Sequence, residues 1–594
     1  MNKKWLIGLC LLTYLIRPRA QDTLIIGFGD TYGTIVSASS SNGQQSPENT
    51  MDASGFLPNE SAASRFLSQA ALGYDFADIQ EVMVKGRSLW IDEQMAKPVP
   101  FRLQDRVAFY HDFARTNLGD PNTGTRSGWW DNAWWHYHMS SDDLLRQKVA
   151  LALSELLVIS EISGFGTNPY PLANYYDIFL ENAFTNYRTI LQKVTYNPAM
   201  GLYLTYLNNP KSDPAQNRFP DENYSREVMQ LFTIGTVKLN MDGSVITDNQ
   251  GVPVPTYDNQ DIFELSKVFT GLTWWDRTQF YRGALNNNSY LQDMVMWETY
   301  HEPGPKNLLN GYVIPDRNPI NGNADISDAL DHLFNHPNTP PFISYYLIQR
   351  LVTSNPSPGF VEDISNVFVN NGSGVRGDMK AIIKAILTHP EASSCQAGEE
   401  AFFGALREPF NRYMQLNRAL KVSTTSGVFR NEMNNVYNFT GQRPLSSPSV
   451  FNFFQRDYSP IGPATDNDKV APEFQITNAQ SIAGYLSGLW EWIVDNNPAD
   501  ENDLYTNEDN NNYINEVSRL DFLEDLPFTD NDKVHILVDK YNMLLAQGNL
   551  GAETVDIIID AVKALPNGTD TEKERKARFI AYLVMASPEY VINK

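Results

Sequence analysis

From Ala62 to the C-terminus, apolar side chains recur at three- and four-residue spacing in segment after segment and almost never alternate. "SAASRFLSQAAL", "FADIQEVMVKG", "SLWIDEQMA", "YYDIFLENAFTNYRTILQKVTYN", "QDIFELSKVFTGL", "GDMKAIIKAILTH", "DKVHILVDKYNMLLAQG" and "ERKARFIAYLVMAS" all carry this pattern. Each such stripe needs another helix against which to bury itself. The expected fold class is therefore mainly α: a large multi-helix globular domain with a small β-hairpin insertion. The hairpin is expected at "GTVKLNMDGSVITDNQGVPVPTY", where "MDG" and "NQG" supply turn residues between short apolar runs. In "SSDDLLRQKVALALSELLVIS", Ser140 and Asp143 stand at capping-box spacing and predict the start of a long helix. No fixed-period repeat is visible.

The N-terminus "MNKKWLIGLCLLTYLIRPRAQD" has a basic start, an apolar run from Trp5 to Ile16 and a small residue at Ala20. This reads as a secretory signal peptide over 1–20, cleaved to leave Gln21 first. The run is short for a membrane span, and Leu9 before Cys10 does not suit lipidation. The expected location is periplasmic or extracellular. Cleavage would leave Cys395 as the sole cysteine, so no intramolecular disulfide is expected and stability must come from a core. Hydrophobic residues at 42 % of the 594 positions are ample for one.

After the signal come a short strand at "TLIIGFGD" and a flexible Ser, Asn and Gln-rich linker, together 21–51. Gly27, Gly29 and Gly33 resemble a phosphate loop only superficially, because no helix pattern follows. The main helical domain is placed at 52–490. An acidic Asn/Asp-rich loop at 491–517 is expected to separate it from a C-terminal helical bundle at 518–594 that packs on the main domain. The net charge of −24 argues against nucleic-acid partners and against anionic lipid. No other apolar run approaches membrane-spanning length, so no span is expected in the mature protein.

The sharpest chemical signal is "PDENYSREVMQLFTIG", a helix expected to begin after the Asp221 cap and to end by Gly235. Advancing 100° per residue, Glu222, Arg226, Gln230, Asn223 and Glu227 share an arc of about 140°. One reading is a solvated face with a Glu222–Arg226 pair. The other is a polar face turned into a cleft. In "WETYHEPGPKNLLNG" a Gly-Pro turn presents His301, Glu302 and Lys306 from a loop. If the two segments meet, Glu222, Glu227 and His301 become catalytic candidates, with Arg226, Lys306 and Asn223 binding substrate. The two glutamates alone are a poor pair, since their backbones rise by about 7.5 Å and point apart. The alternative is a hydrogen-bonded turn that locks two helices.

"WWDNAWWHYHMS" places four tryptophans beside His136 and His138. Trp130 and Trp134 at i and i+4 suit either a substrate wall for flat or sugar ligands or core packing. His136 and His138 are expected to ligate metal only if the segment is extended and a third ligand arrives from elsewhere. No dedicated metal site is assigned, although a divalent metal at the imidazole and carboxylates is left open as a cofactor. Zincin, nucleophile-elbow, Walker and paired Cys-x-x-Cys signatures are missing.

Taken in order, "AASRFLSQAALGYDFADIQ", "LRQKVALALSELLVIS", "NAFTNYRTILQKVTYNPAMGLYL", "PDENYSREVMQLFTIGTVKLNMDG", "VFTGLTWW", "HEPGPKNLLNG", "IIKAILTHPE" and "YLVMASPEY" resemble the bacterial family catalogued as domain of unknown function 1800. The resemblance covers roughly residues 52 to 590. It implies an exported, mostly helical protein. It also implies an exported partner, from a neighbouring family that resembles alkaline-phosphatase-like enzymes. It carries no mechanism. The function expected is that of a binding or assembly component acting with that partner. The alternative is an extracytoplasmic hydrolase, on a saccharide by composition, using the Glu/His/Arg/Lys cleft.

Overall fold

A computed structural model describes residues 60–117, 124–393, 401–425, 427–499 and 518–593, together with the strands Thr23–Phe28 and Tyr32–Ser37. The signal segment with Ala20 and Cys10, most of the linker, Cys395 and the greater part of the Asn/Asp-rich passage lie outside the described residues.

The periodic segments are helices. "ESAASRFLSQA" spans Glu60–Ala70, and "FADIQEVMVK" spans Phe76–Lys85 with an Asp75/Asp78 capping box. Strands form only two-stranded antiparallel sheets among the described residues, so the fold is mainly α. "TLIIGF" does not stand alone: it pairs with Tyr32–Ser37. A more consequential pair joins Ala405–Leu406 to Ile592–Asn593, tying the C-terminal end to the middle of the chain.

The expected hairpin has three limbs. Lys238 N donates to Val254 O, Val254 N to Ile246 O and Ile246 N to Lys238 O, at 2.8, 2.9 and 2.8 Å. Two tight turns therefore close a small triangle of backbone bonds. Gly243 and Gly251 turn the chain at φ 80° and 81°, a region that glycine enters without strain.

The capping reading at Ser140 is corrected. Ser140 ends the Gly128–Ser140 helix, and its hydroxyl donates back to His136 O at 2.6 Å. The next helix, Leu144–Leu156, follows Asp143, whose carboxylate accepts from Tyr137 Oη (2.6 Å) and Gln147 Nε2 (2.9 Å) instead of capping backbone. A buried carboxylate satisfied by two side chains here replaces the local cap.

One continuous apolar core runs from Ala63 to Tyr590. The C-terminal helices Val534–Ala546, Ala552–Lys563 and Asp570–Ala586 join it. Ser64 Oγ donates to Met543 O at 2.8 Å, and Gln415 Nε2 to Leu544 O at 3.1 Å. Before the Asn/Asp-rich passage, the Ala479–Leu489 helix continues through a widened turn to Val494, so that passage opens as helix.

Candidate functional site

The structure separates the residues that the sequence groups together. The acidic helix spans Asn223–Gln230, and Asp221 Oδ1 accepts from Asn223 N at 2.9 Å. Glu222 and Arg226, each about two-fifths exposed, form a 3.5 Å i,i+4 pair on the surface. Asn223 Nδ2 reaches only Thr205 Oγ1, at 3.5 Å. Glu227 is buried, its Oε2 has no hydrogen-bond partner, and burial lifts its carboxyl above the ordinary range. Among the described residues no hydrogen bond or ion pair joins this helix to His301 or Lys306.

His301 and Lys306 do meet, but around a carboxylate that sequence spacing does not reveal. His301 is fully buried, with Nδ1 2.8 Å from Thr270 O and Nε2 3.1 Å from Asp325 Oδ2. A carbonyl only accepts, so Nδ1 carries the hydrogen. Lys306 Nζ donates to the same Asp325 oxygen and to Glu302 O at 2.8 Å. Arg317 grips the other Asp325 oxygen and reaches Asp328 at 2.5 Å. Burial alone would raise Asp325, but His301 and Lys306 hold its carboxyl below the usual range. Closed and packed, this cluster fastens the loop before Lys306–Leu308 to the Gly322–Asn335 helix.

The tryptophan segment is helical, and Trp130 and Trp134 are fully buried. Trp134 stacks on His138 at 3.5 Å and packs against Phe410 at 5.4 Å, while Trp130 meets Tyr176 at 5.7 Å. These rings are core and offer no wall to a ligand. His136 and His138 lie two apart on a helix, so their side chains diverge. His138 Nδ1 is taken by Trp134 O at 2.7 Å, and His136 Nδ1 accepts from Phe429 N at 3.2 Å. Among the described residues no group of three or more His, Cys, Asp or Glu side chains is arranged to hold a metal ion.

A cavity lies elsewhere. It is partly open, measures about 60 Å³, and is walled by Lys148, Arg350, Arg407, Glu408 and Glu473 beside Gln349, Asn411 and apolar side chains. Its groups come from distant elements. Lys148 stands in the Leu144–Leu156 helix and Arg350 in Thr339–Leu351, while Glu408 precedes Pro409–Ala419 and Glu473 sits in the short turn Pro472–Ile476. One Arg350 nitrogen bridges Glu155 at 3.4 Å and Glu408 at 3.2 Å, and its guanidinium lies 4.5 Å from the Phe454 ring. Gln442 Nε2 holds the second Glu408 oxygen at 2.9 Å. Arg407 donates to Leu545 O at 3.0 Å and to Gln547, under the Tyr590 ring at 4.8 Å.

The electrostatics follow from this packing. Glu155 stands beside Glu408, and the second carboxyl disfavours its charged form. Burial, with the neighbouring Glu408, pushes Glu155 well up against the pull of Arg350. Burial also lifts Glu473 to about 7 and lowers Lys148. Gln349 Oε1, Arg350 Nε, Arg407 Nε, Asn411 Oδ1 and Glu473 Oε2 have no hydrogen-bond partner. These wall residues thus keep hydrogen-bonding capacity that buried groups ordinarily use. Glu155 also faces a second cavity of about 20 Å³ with Ser154, Gln442, Arg443 and Asn452. A carboxylic acid, a carboxyl that titrates near neutrality, an ammonium and two guanidiniums can bind polar groups and can move protons.

The sequence did hold a signal for this site. In "LLRQKVALALSEL" every residue but Glu155 is classed as buried, and Lys148 and Glu155 are seven apart on one face. Charges within a helix that is buried nearly all round must find partners in the interior.

Fold and cavity together define a class: a mainly helical protein that keeps ionisable side chains around a partly open interior cavity. The chain belongs to the family described as Protein of unknown function (DUF1800), which it matches over residues 65–592. No curated protein and no solved structure matches it. No helix among the described residues is long and apolar enough to cross a membrane.

Proposed function

We propose that this protein is exported and serves as a binding component, taking the polar end of a small molecule into the cavity walled by Lys148, Arg350, Arg407, Glu408 and Glu473. The observation that supports this reading most is Lys148. It is 8 % exposed, faces the cavity, and makes no hydrogen bond or ion pair among the described residues. Glu408 and Glu155 favour its charged form against the pull of burial, yet no hydrogen bond among the described residues fixes its ammonium. A ligand supplies the missing partner.

The test is a set of thermal melts with small polar probes: acetate, citrate, phosphate, glycine, glucose and glycerol. At least one should raise the melting temperature in proportion to its occupancy. If none moves it, the cavity binds nothing of this kind and the reading fails. Export rests on the N-terminal pattern, and mass spectrometry of the exported protein should find Gln21 first. Action with a second exported protein rests on the family resemblance, and co-purification from the extracytoplasmic fraction tests it.

One observation favours a second reading, hydrolysis: the Glu155–Glu408 pair has the acid and base partners that bond cleavage by water needs. Under it, Glu408→Gln abolishes turnover of a chromogenic ester or glycoside. Equal turnover by both proteins would remove that reading.

A further inference from the structure

We propose that the group received in the cavity is a monocarboxylate, with Lys148 as its principal counterion. This rests on the reading that the cavity binds a ligand, and it adds the ligand's class.

Charge comes first. The cavity wall carries three cations, Lys148, Arg350 and Arg407, against two acidic residues, Glu408 and Glu473. Three minus two leaves one positive charge, in a chain whose net charge is −24. A monoanion closes that count, and a dianion overshoots it.

Availability points to the same group. Arg350 is committed to Glu155 and Glu408 and to the face of Phe454. Arg407 is committed to Leu545 O and Gln547 and to the Tyr590 ring. Lys148 alone of the three has no such commitment among the described residues. Its ammonium is a compact point charge with three donors, so it takes a carboxylate without needing a fixed fork geometry.

Size and polarity narrow the ligand further. A cavity of about 60 Å³ admits only a few non-hydrogen atoms, hence a carboxylate and its first carbons, with the remainder leaving through the opening. Ala71, Leu72, Leu351, Val352 and Leu406 line the same space and suit a short hydrocarbon neck. A free inorganic oxyanion would leave that apolar wall unused.

The experiment is calorimetric titration of the full chain at neutral pH with acetate, propionate and butyrate, against the neutral isostere propionamide and against inorganic phosphate. Binding is expected for the carboxylates, at least tenfold weaker for propionamide and for phosphate. Lys148→Met should weaken propionate binding at least tenfold, and the exposed control Lys380→Met should leave it unchanged. If Lys148→Met does not fold, wild-type protein still decides the point: propionate should protect Lys148, and not Lys380, from amine acylation read by peptide mass spectrometry. Equal binding of propionate and propionamide, tighter binding of phosphate, or absent protection of Lys148 would each overturn the proposal. Binding of neutral probes without carboxylates would overturn it while leaving the binding reading intact. Failure of every probe would remove both.

Discussion

At the scale of single residues, Asp325, which the sequence did not single out, has more to hold than either glutamate of the predicted constellation. It faces His301, Lys306 and Arg317 at once while only 2 % exposed. Asp325→Ala strands two buried or half-buried cations and should cost about 3–5 kcal/mol in denaturant melts. Glu222→Ala, which breaks only the exposed pair with Arg226, should cost about 0–1 kcal/mol. A double-mutant cycle should find coupling between His301 and Asp325 and none between His301 and Glu227. The sequence correctly joined His301 to Lys306, because five residues around a Gly-Pro turn keep them together. It could not offer Asp325, since in "NADISDALDHLF" that acid reads as one more solvated helix position and a 24-residue separation leaves no periodic trace.

Glu473 belongs to the same scale. Its carboxyl titrates at about 7 in the folded chain against 4.5 as its ordinary value. Between these values the folded state holds a proton that the unfolded state releases. Its stabilising share is therefore complete below pH 4.5 and is lost as pH rises through about 7. That difference corresponds to at most about 3–4 kcal/mol. Glu473→Gln should melt like wild type near pH 5 and above it near pH 8. Unchanged melts at both pH values would show that the carboxyl is not held this way.

At the scale of elements, the helix pattern was readable because burial stripes are local. The partner of each stripe was not, and Gly484 shows why. A β-carbon there would stand 2.6 Å from Phe439 O, so the Ala479–Leu489 and Asn434–Thr440 helices meet backbone to backbone at a glycine. Gly484→Ala should cost about 1–3 kcal/mol by overpacking, although in an isolated helix alanine is the better residue. A gain in melting temperature would show that the crossing yields easily. The Trp130 and Trp134 helix teaches the reverse lesson. Its dense aromatics suited a platform or a core equally well, and only the neighbours Tyr176 and Phe410, far off in sequence, decide for the core.

At the scale of the whole molecule, the cavity is assembled from residues that are neighbours only after folding, which is why composition and spacing gave its parts without its place. The C-terminal strand Ile592–Asn593 pairs with Ala405–Leu406, and Asn593 joins the cavity wall. A chain ending at Ala586 loses this strand and the fully buried Tyr590 ring that covers Arg407. It should lose about 3–5 kcal/mol, the cost of deleting a large buried ring, and with it any carboxylate binding. Retained binding in a truncated chain of native melting temperature would show that the wall is not needed.

Across that wall, Ser68 Oγ donates to Asn593 Oδ1 at 2.7 Å, joining positions 525 apart. Closing a loop of that length costs about 3–4 kcal/mol more chain entropy than closing one of about ten residues. A single hydrogen bond does not meet such a cost, so this contact forms only when nearly everything between its ends is already in place. The pocket is then a late product of folding, and a half-folded chain carries its charged groups without the enclosure that would make them a receptor. Whatever occupies the pocket stabilises the finished molecule selectively and shifts the balance away from the partly open forms that proteases attack.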